Sequence, residues 1–112
     1  MNEVHRPILV FGATGRQGGS VAKALLKVHW PVRAFVQDQF EPASVALREA
    51  GAELVQGSLE DADVIAAAMK DAHGVFSVMP ANLSAEDEVR YGTRVADLAA
   101  KSRVDHFIYS SG

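Results

Sequence analysis

The residues with the clearest chemical potential are Gly12-Ala13-Thr14-Gly15-Arg16-Gln17-Gly18-Gly19. They follow an apolar run, Ile8-Leu9-Val10-Phe11. They precede a stretch in which Val21, Leu25 and Val28 recur at helical spacing, with Ala22 and Leu26 beside them. At a strand-to-helix turn of this kind, backbone N–H groups at the helix N-terminus point outward and the helix dipole favours an anion. Gly12 would let the chain turn as the strand ends. Gly15 would let phosphates approach the backbone, and Gly18 would let the helix pack closely on the strand. The spacing is GxxGxxG, one residue longer in its first half than the GxGxxG dehydrogenase fingerprint, and no Gly-Lys-Ser/Thr follows, which excludes a P-loop. A glycine-rich turn can exist without a ligand, so the flanking elements must decide the matter.

Those elements alternate five times. The first strand, Ile8 to Phe11, reads as covered on both faces because it is continuously apolar. A helix from about Gln17 to Val28 follows, and Pro31 ends it. Val32 to Val36 reads as the second strand. Pro42 suits the first turn of a short helix through Ala43, Leu47 and Ala50, which Gly51 closes. Ala52 to Gln56 is a third strand, less apolar and so nearer a sheet edge. A helix from about Asp61 to Asp71 is led by acidic residues. Gly74 precedes a fourth strand, Val75 to Met79, which Pro80 terminates. After a loop from Asn82 to Ala85, Ser84 serves as N-cap with Asp87 three residues on. The longest helix then runs to about Ser102, with Val89, Thr93, Ala96 and Ala100 as its expected buried stripe. The fifth strand is His106 to Ser110. Strands alternating with helices imply an α/β Rossmann-type parallel sheet, in the order 3-2-1-4-5, with helices on both faces. Residues 1–112 read as one continuous dinucleotide-binding domain.

Composition narrows the class. The chain has 112 residues, 48% apolar and 22% charged, with a net charge of −3. The eleven Lys and Arg are scattered, so the clustered basic surface that nucleic acid requires is missing. There is no cysteine, which excludes disulfides and thiolate metal sites. No basic start followed by an apolar stretch suggests a secretory signal, and no apolar run approaches the roughly 18 residues of a membrane-spanning helix. The expectation is a cytoplasmic protein with neither nucleic acid nor membrane as partner.

GATGRQGG followed by VAKALL, then VRAFVQD, GAELVQGSLED, GVFSVMP and FIYSSG, resembles the NmrA-like family of atypical short-chain dehydrogenase/reductases along essentially the whole chain. The resemblance implies NAD(P) binding. Some members reduce quinones or similar small carbonyl compounds, and others are redox-sensing regulators that bind the cofactor and signal to a protein partner. It further implies cofactor contacts at Gly12, Ala13, Thr14, Gly15, Arg16, Gln17 and Gly18, at Gln37 past the second strand, at Ser58 and Leu59 beside the adenine, and at Met79, Pro80 and Ser110 in the crevice. Where NADP-preferring relatives often carry an Arg, this chain has Gln37, which can hydrogen-bond but brings no charge. Val36 stands where NAD-specific Rossmann proteins hold an acid. Asp38 lies about two residues late and reads as a solvated loop carboxylate. Arg16 is either a cation for the 2′-phosphate or a solvent-facing residue; the cofactor expected is NADP, with NAD open.

Catalytic residues are not found. Short-chain reductases use a Tyr and a Lys four residues apart, but Tyr91 is followed at that spacing by Val95, and Tyr109 lies too near the last residue to have a partner. His5, His29, His73 and His106 lack metal-ligand spacing. Family members are normally more than twice this length, so the sequence reads as the N-terminal part of such a protein. Its fifth strand would then leave an apolar sheet edge through which copies of the chain could associate.

Overall fold

The computed structural model describes residues 6–79 and 83–110. Its elements, in order, are β1 (Ile8–Phe11), α1 (Arg16–Lys27), β2 (Val32–Val36), α2 (Pro42–Glu49), β3 (Glu53–Gln56), α3 (Ala62–Met69), β4 (Gly74–Val78), α4 (Ala85–Lys101) and β5 (His106–Ser110). The five strands form one sheet in the order β3-β2-β1-β4-β5, and every pairing is parallel.

Strand alternation divides the core between two faces. Leu9 and Phe11 of β1, Phe35 of β2 and Val75 of β4 pack with Ile65 and Met69 of α3 and Val95 and Ala99 of α4. Val10, Val32, Ala34 and Val36 point the other way, onto Ala22 of α1 and Leu47 of α2. This explains the continuous apolar runs in β1 and β2: each residue meets a helix on one face or the other. Each large side chain buried in this way contributes about 1.5–3 kcal/mol.

Two sequence expectations about helix faces need correction. In α4 the buried residues are Val95 and Ala99, with Tyr91 and Leu98 packed at the margin, whereas Val89 is 67% exposed and Thr93 and Ala100 face solvent. Both faces of this helix carry small apolar residues. The larger side chains Tyr91, Val95 and Leu98 decide which one is buried, roughly a third of a turn from the expected stripe. In α1, Ala22 is buried and Leu25 and Leu26 pack beside it, but Val28 is the exposed C-cap.

The edges are β3, whose Glu53 and Gln56 are exposed, and β5, where Phe107, Ile108 and Tyr109 are all substantially exposed. Among the described residues no helix is long and apolar enough to cross a membrane. At the N-terminal end of the sheet, Asp105 pairs with Arg6 and lies 3.6 Å from His73, whose ring sits tilted between those of Trp30 and His106. This cluster ties strand starts together, at the opposite end of the sheet from the glycine turn.

Candidate cofactor-binding site

The glycine turn is built by backbone collisions that only glycine avoids. Gly12 has a φ of 75°, and a Cβ on it would run into the carbonyl oxygen of Val78 on neighbouring β4. This turn directs the Gly12 carbonyl beneath the first turn of α1, where it accepts from Gly15 N–H at 3.0 Å. Gly18 packs directly on that carbonyl, and a Cβ there would overlap the oxygen and lie 2.6 Å from the carbon. Gly15 differs. A Cβ on it would meet only the Gly12 oxygen, at 3.3 Å, and the residue is exposed. The fold therefore needs Gly12 and Gly18, while the open side of Gly15 leaves room for a ligand.

The start of α1 is left ready for an anion. Its N-cap is Gly15, which has no side chain to bond the orphan N–H groups, and its first turn contains no acid. By contrast, Asp61 caps α3 by accepting from Val64 N–H, and Ser84 caps α4 by accepting from Asp87 N–H, with three acids in that first turn. The first bond within α1 runs from Gly19 N–H to the Gly15 carbonyl at 2.9 Å, so the N–H groups of Arg16 and Gln17 have no helical partner.

Beside this turn, at the carboxyl ends of β1, β2 and β4, lies a cleft of about 280 Å³. Its wall comprises Phe11, Gly12 and Thr14 from the first strand and turn, Phe35, Val36, Gln37 and Glu41 from β2 and the loop after it, Leu59 from the loop before α3, and Val78, Met79 and Leu83 from β4 and beyond. An open α/β sheet places ligands at this point, where the strand order reverses between β1 and β4.

Of the residues marked in the sequence, Gly12, Thr14, Gln37, Leu59 and Met79 come together in the cleft wall. Gly15, Arg16 and Gln17 form the exposed rim at the start of α1, and Gly18 lies buried beneath it. Ala13 is buried with Val10 and Ala22, so only its backbone is available to a ligand. Ser58 is exposed and its hydroxyl accepts from Glu60 N–H at 3.0 Å, closing a local turn next to Leu59. Ser110 is joined to the glycine turn instead: Gln17 Nε2 donates to its Oγ at 2.6 Å. Pro80 lies outside the described residues. Asp38 is engaged locally, its Oδ1 accepting from Phe40 N–H at 2.9 Å.

Sequence reasoning missed Glu41, Leu83 and the ring of Phe35. Glu41 carried a signal, because a residue before a proline at the start of a helix is held extended at the N-cap, and this end of α2 faces the cleft. Phe35 and Leu83 carried none, since their roles depend on which loops converge.

The Leu59 loop is held from α4. Arg94 Nη1 donates to the Leu59 carbonyl at 2.7 Å, and Arg90 Nη1 pairs with Glu60 at 2.9 Å while its guanidinium lies over the Tyr91 ring. The Tyr91 hydroxyl, with Arg90 and Arg94, holds the exposed Glu60 carboxyl below its usual range, and the Glu60 carboxylate in turn raises Tyr91. Tyr109 is raised by partial desolvation of its hydroxyl and by the Glu88 carboxylate, to which that hydroxyl donates at 3.0 Å. Val95, at the position a catalytic Lys would need relative to Tyr91, is fully buried. Among the described residues no group of three or more His, Asp or Glu could hold a metal ion.

A backbone cradle, uncapped helix N–H groups and an adjoining cleft of mixed polarity together suit an anionic ligand that extends across the strand ends. The sequence profile of the NmrA-like family matches residues 5–112. The chain is 37% identical over 117 residues to the NmrA-like family domain-containing oxidoreductase hkm9 of Aspergillus hancockii, covering 96% of this chain and 34% of that protein. Two crystal structures of NmrA, described as a negative transcriptional regulator, superimpose on it: one in complex with NAD and one with NADP. Each gives a TM-score of 0.86 at 29% identity over 97% of this chain and 34% of the other. The chain thus spans about a third of the length of the curated relatives it matches.

Proposed function

The chain belongs to the NmrA-like family, and from that premise we propose that it is the NAD(P)-binding domain of an oxidoreductase that reduces a small carbonyl or quinone substrate. The observation that carries this reading is the glycine turn, in which Gly12 and Gly18 interlock and leave the uncapped start of α1 open. The N–H groups of Arg16 and Gln17 would hold the diphosphate. Gln37 and Leu59 would take the adenosine, and Met79 and Ser110 would lie toward the nicotinamide. Once bound, the nicotinamide supplies hydride chemistry. The residues named above would bind and orient it. Calorimetric titration with NAD+ and NADP+ tests the reading, and absence of binding by either would overturn it.

A second reading has its own support. The NmrA structures that resemble this chain are described as those of a transcriptional regulator, and they carry NAD or NADP. A redox-sensing protein that binds the dinucleotide and signals to a protein partner would need the same turn and cleft. A full-length protein that binds the dinucleotide, yet oxidises no NAD(P)H with quinones or small carbonyl compounds, would favour this reading over the first. The choice between NADP, which Arg16 would favour, and NAD turns on charge around the adenosine.

A further inference from the structure

Among the described residues of the cleft wall, Glu41 carries the one formal charge. Its position follows from its neighbours. Pro42 occupies the first turn of α2 and bars the preceding residue from helical geometry, so Glu41 is extended, with φ −71° and ψ 153°. The loop that presents it is pinned: Gln39 N–H donates to Gln56 Oε1 and Phe40 N–H to Asp38 Oδ1, both at 2.9 Å. An N-cap side chain ordinarily accepts from the helix start, but the Glu41 carboxylate does not. It forms no hydrogen bond or ion pair with the described residues, so it is available to the cleft. Gln37, beside it in the wall, adds hydrogen-bonding capacity without charge.

We infer that Glu41 makes the adenosine end of this cleft selective for NAD(H) over NADP(H), an inference that rests on the cleft being the dinucleotide site. A carboxylate accepts from the ribose hydroxyls of NAD. The 2′-phosphate of NADP would instead bring about two negative charges to a wall that offers a third. At roughly 6 Å in a water-like dielectric, that repulsion amounts to about a tenfold loss of affinity. Asp38 on the same loop adds charge of the same sign. Arg16, the cation that would favour a 2′-phosphate, stands at the start of α1, outside the cleft wall.

The test is calorimetric titration of this chain with NAD+ and with NADP+, at low and at high salt, alongside Glu41→Gln and Glu41→Lys. The wild type is expected to bind NAD+ about tenfold more tightly, with the gap narrowing as salt screens the repulsion. Glu41→Gln should narrow the gap by strengthening NADP+, and Glu41→Lys should reverse it. NADP+ binding to the wild type as tightly as NAD+ overturns the inference while leaving the dinucleotide site intact. An unchanged ratio in folded variants, judged by far-UV circular dichroism, also overturns it. Should a variant not fold, the wild-type ratio and its salt dependence still decide. Binding of neither dinucleotide is a separate result and overturns the site itself.

Discussion

Replacing Gly18 by Ala separates folding from ligand binding at the glycine turn. The added methyl would lie 2.6 Å from the Gly12 carbonyl carbon and overlap its oxygen, whereas carbon atoms in contact normally sit about 3.5–4.0 Å apart. Both obstructing atoms are backbone, fixed by the positive φ of Gly12, so no side chain can rotate away. The helix must therefore retreat by about 1 Å, lifting Ala22 from the face formed by Val10 and Ala34. Overpacking of this kind costs about 1–3 kcal/mol. The better helix propensity of Ala returns up to about 1 kcal/mol. A net loss of about 1–2 kcal/mol lowers Tm by roughly 4–15 °C in a domain of this size. Thermal melts followed by circular dichroism would measure it, with Gly15→Ala as control. There the new Cβ meets one oxygen at 3.3 Å, so Tm should stay within about 3 °C of wild type. A Gly18→Ala protein that melts with the wild type would refute the interlocking argument, as would a Gly15→Ala protein that falls equally far.

Three further expectations concern the site and its surroundings. Gly15→Asp should abolish dinucleotide binding while leaving the melt near wild type, because a carboxylate would meet the diphosphate at an exposed position; unchanged calorimetric affinity would remove Gly15 from the site. Glu60 is held below its ordinary range by Tyr91, Arg90 and Arg94, so its contribution to holding the Leu59 loop is present above the ordinary carboxylate pKa. That contribution is lost as pH falls through the lowered value. The Leu59 amide resonance should shift on acidification from about pH 6 to about pH 3, and Glu60→Gln should suppress the step; an identical profile in the variant would remove Glu60 as its origin. Finally, the exposed Phe107, Ile108 and Tyr109 at the β5 edge should drive self-association of this chain. A single monomer boundary in sedimentation velocity at tens of micromolar would exclude it.

How much of this could be read without coordinates depended on range. The alternation of elements and the glycine turn are written in local pattern, and the strand order follows from the crossover rules for alternating strands and helices. Apolar strands, a helix cap such as Ser84, and a GxxGxxG spacing each act over a few residues, so their physics is visible in a short window. The prolines mark boundaries because they remove an N–H and restrict the residue before them. The buried face of α4 was not legible, because Val89, Ala96 and Ala100 look as suitable for burial as Val95 and Ala99 until packing on β4 and β5 chooses between them.

The amino-acid sequence by itself determined that a strand, a glycine turn and a helix would meet at one place. Tertiary structure alone decided what surrounds that place. Gln17 reaches Ser110 across 93 residues of chain, Arg94 secures Leu59 across 35, and Glu41 joins Gln37, Met79 and Leu83 around one cleft. Each of these meetings depends on parallel crossovers that bring the carboxyl ends of distant strands to one edge of the sheet. Local propensity has no term for that, and so the charge on the cleft wall emerged only from the fold.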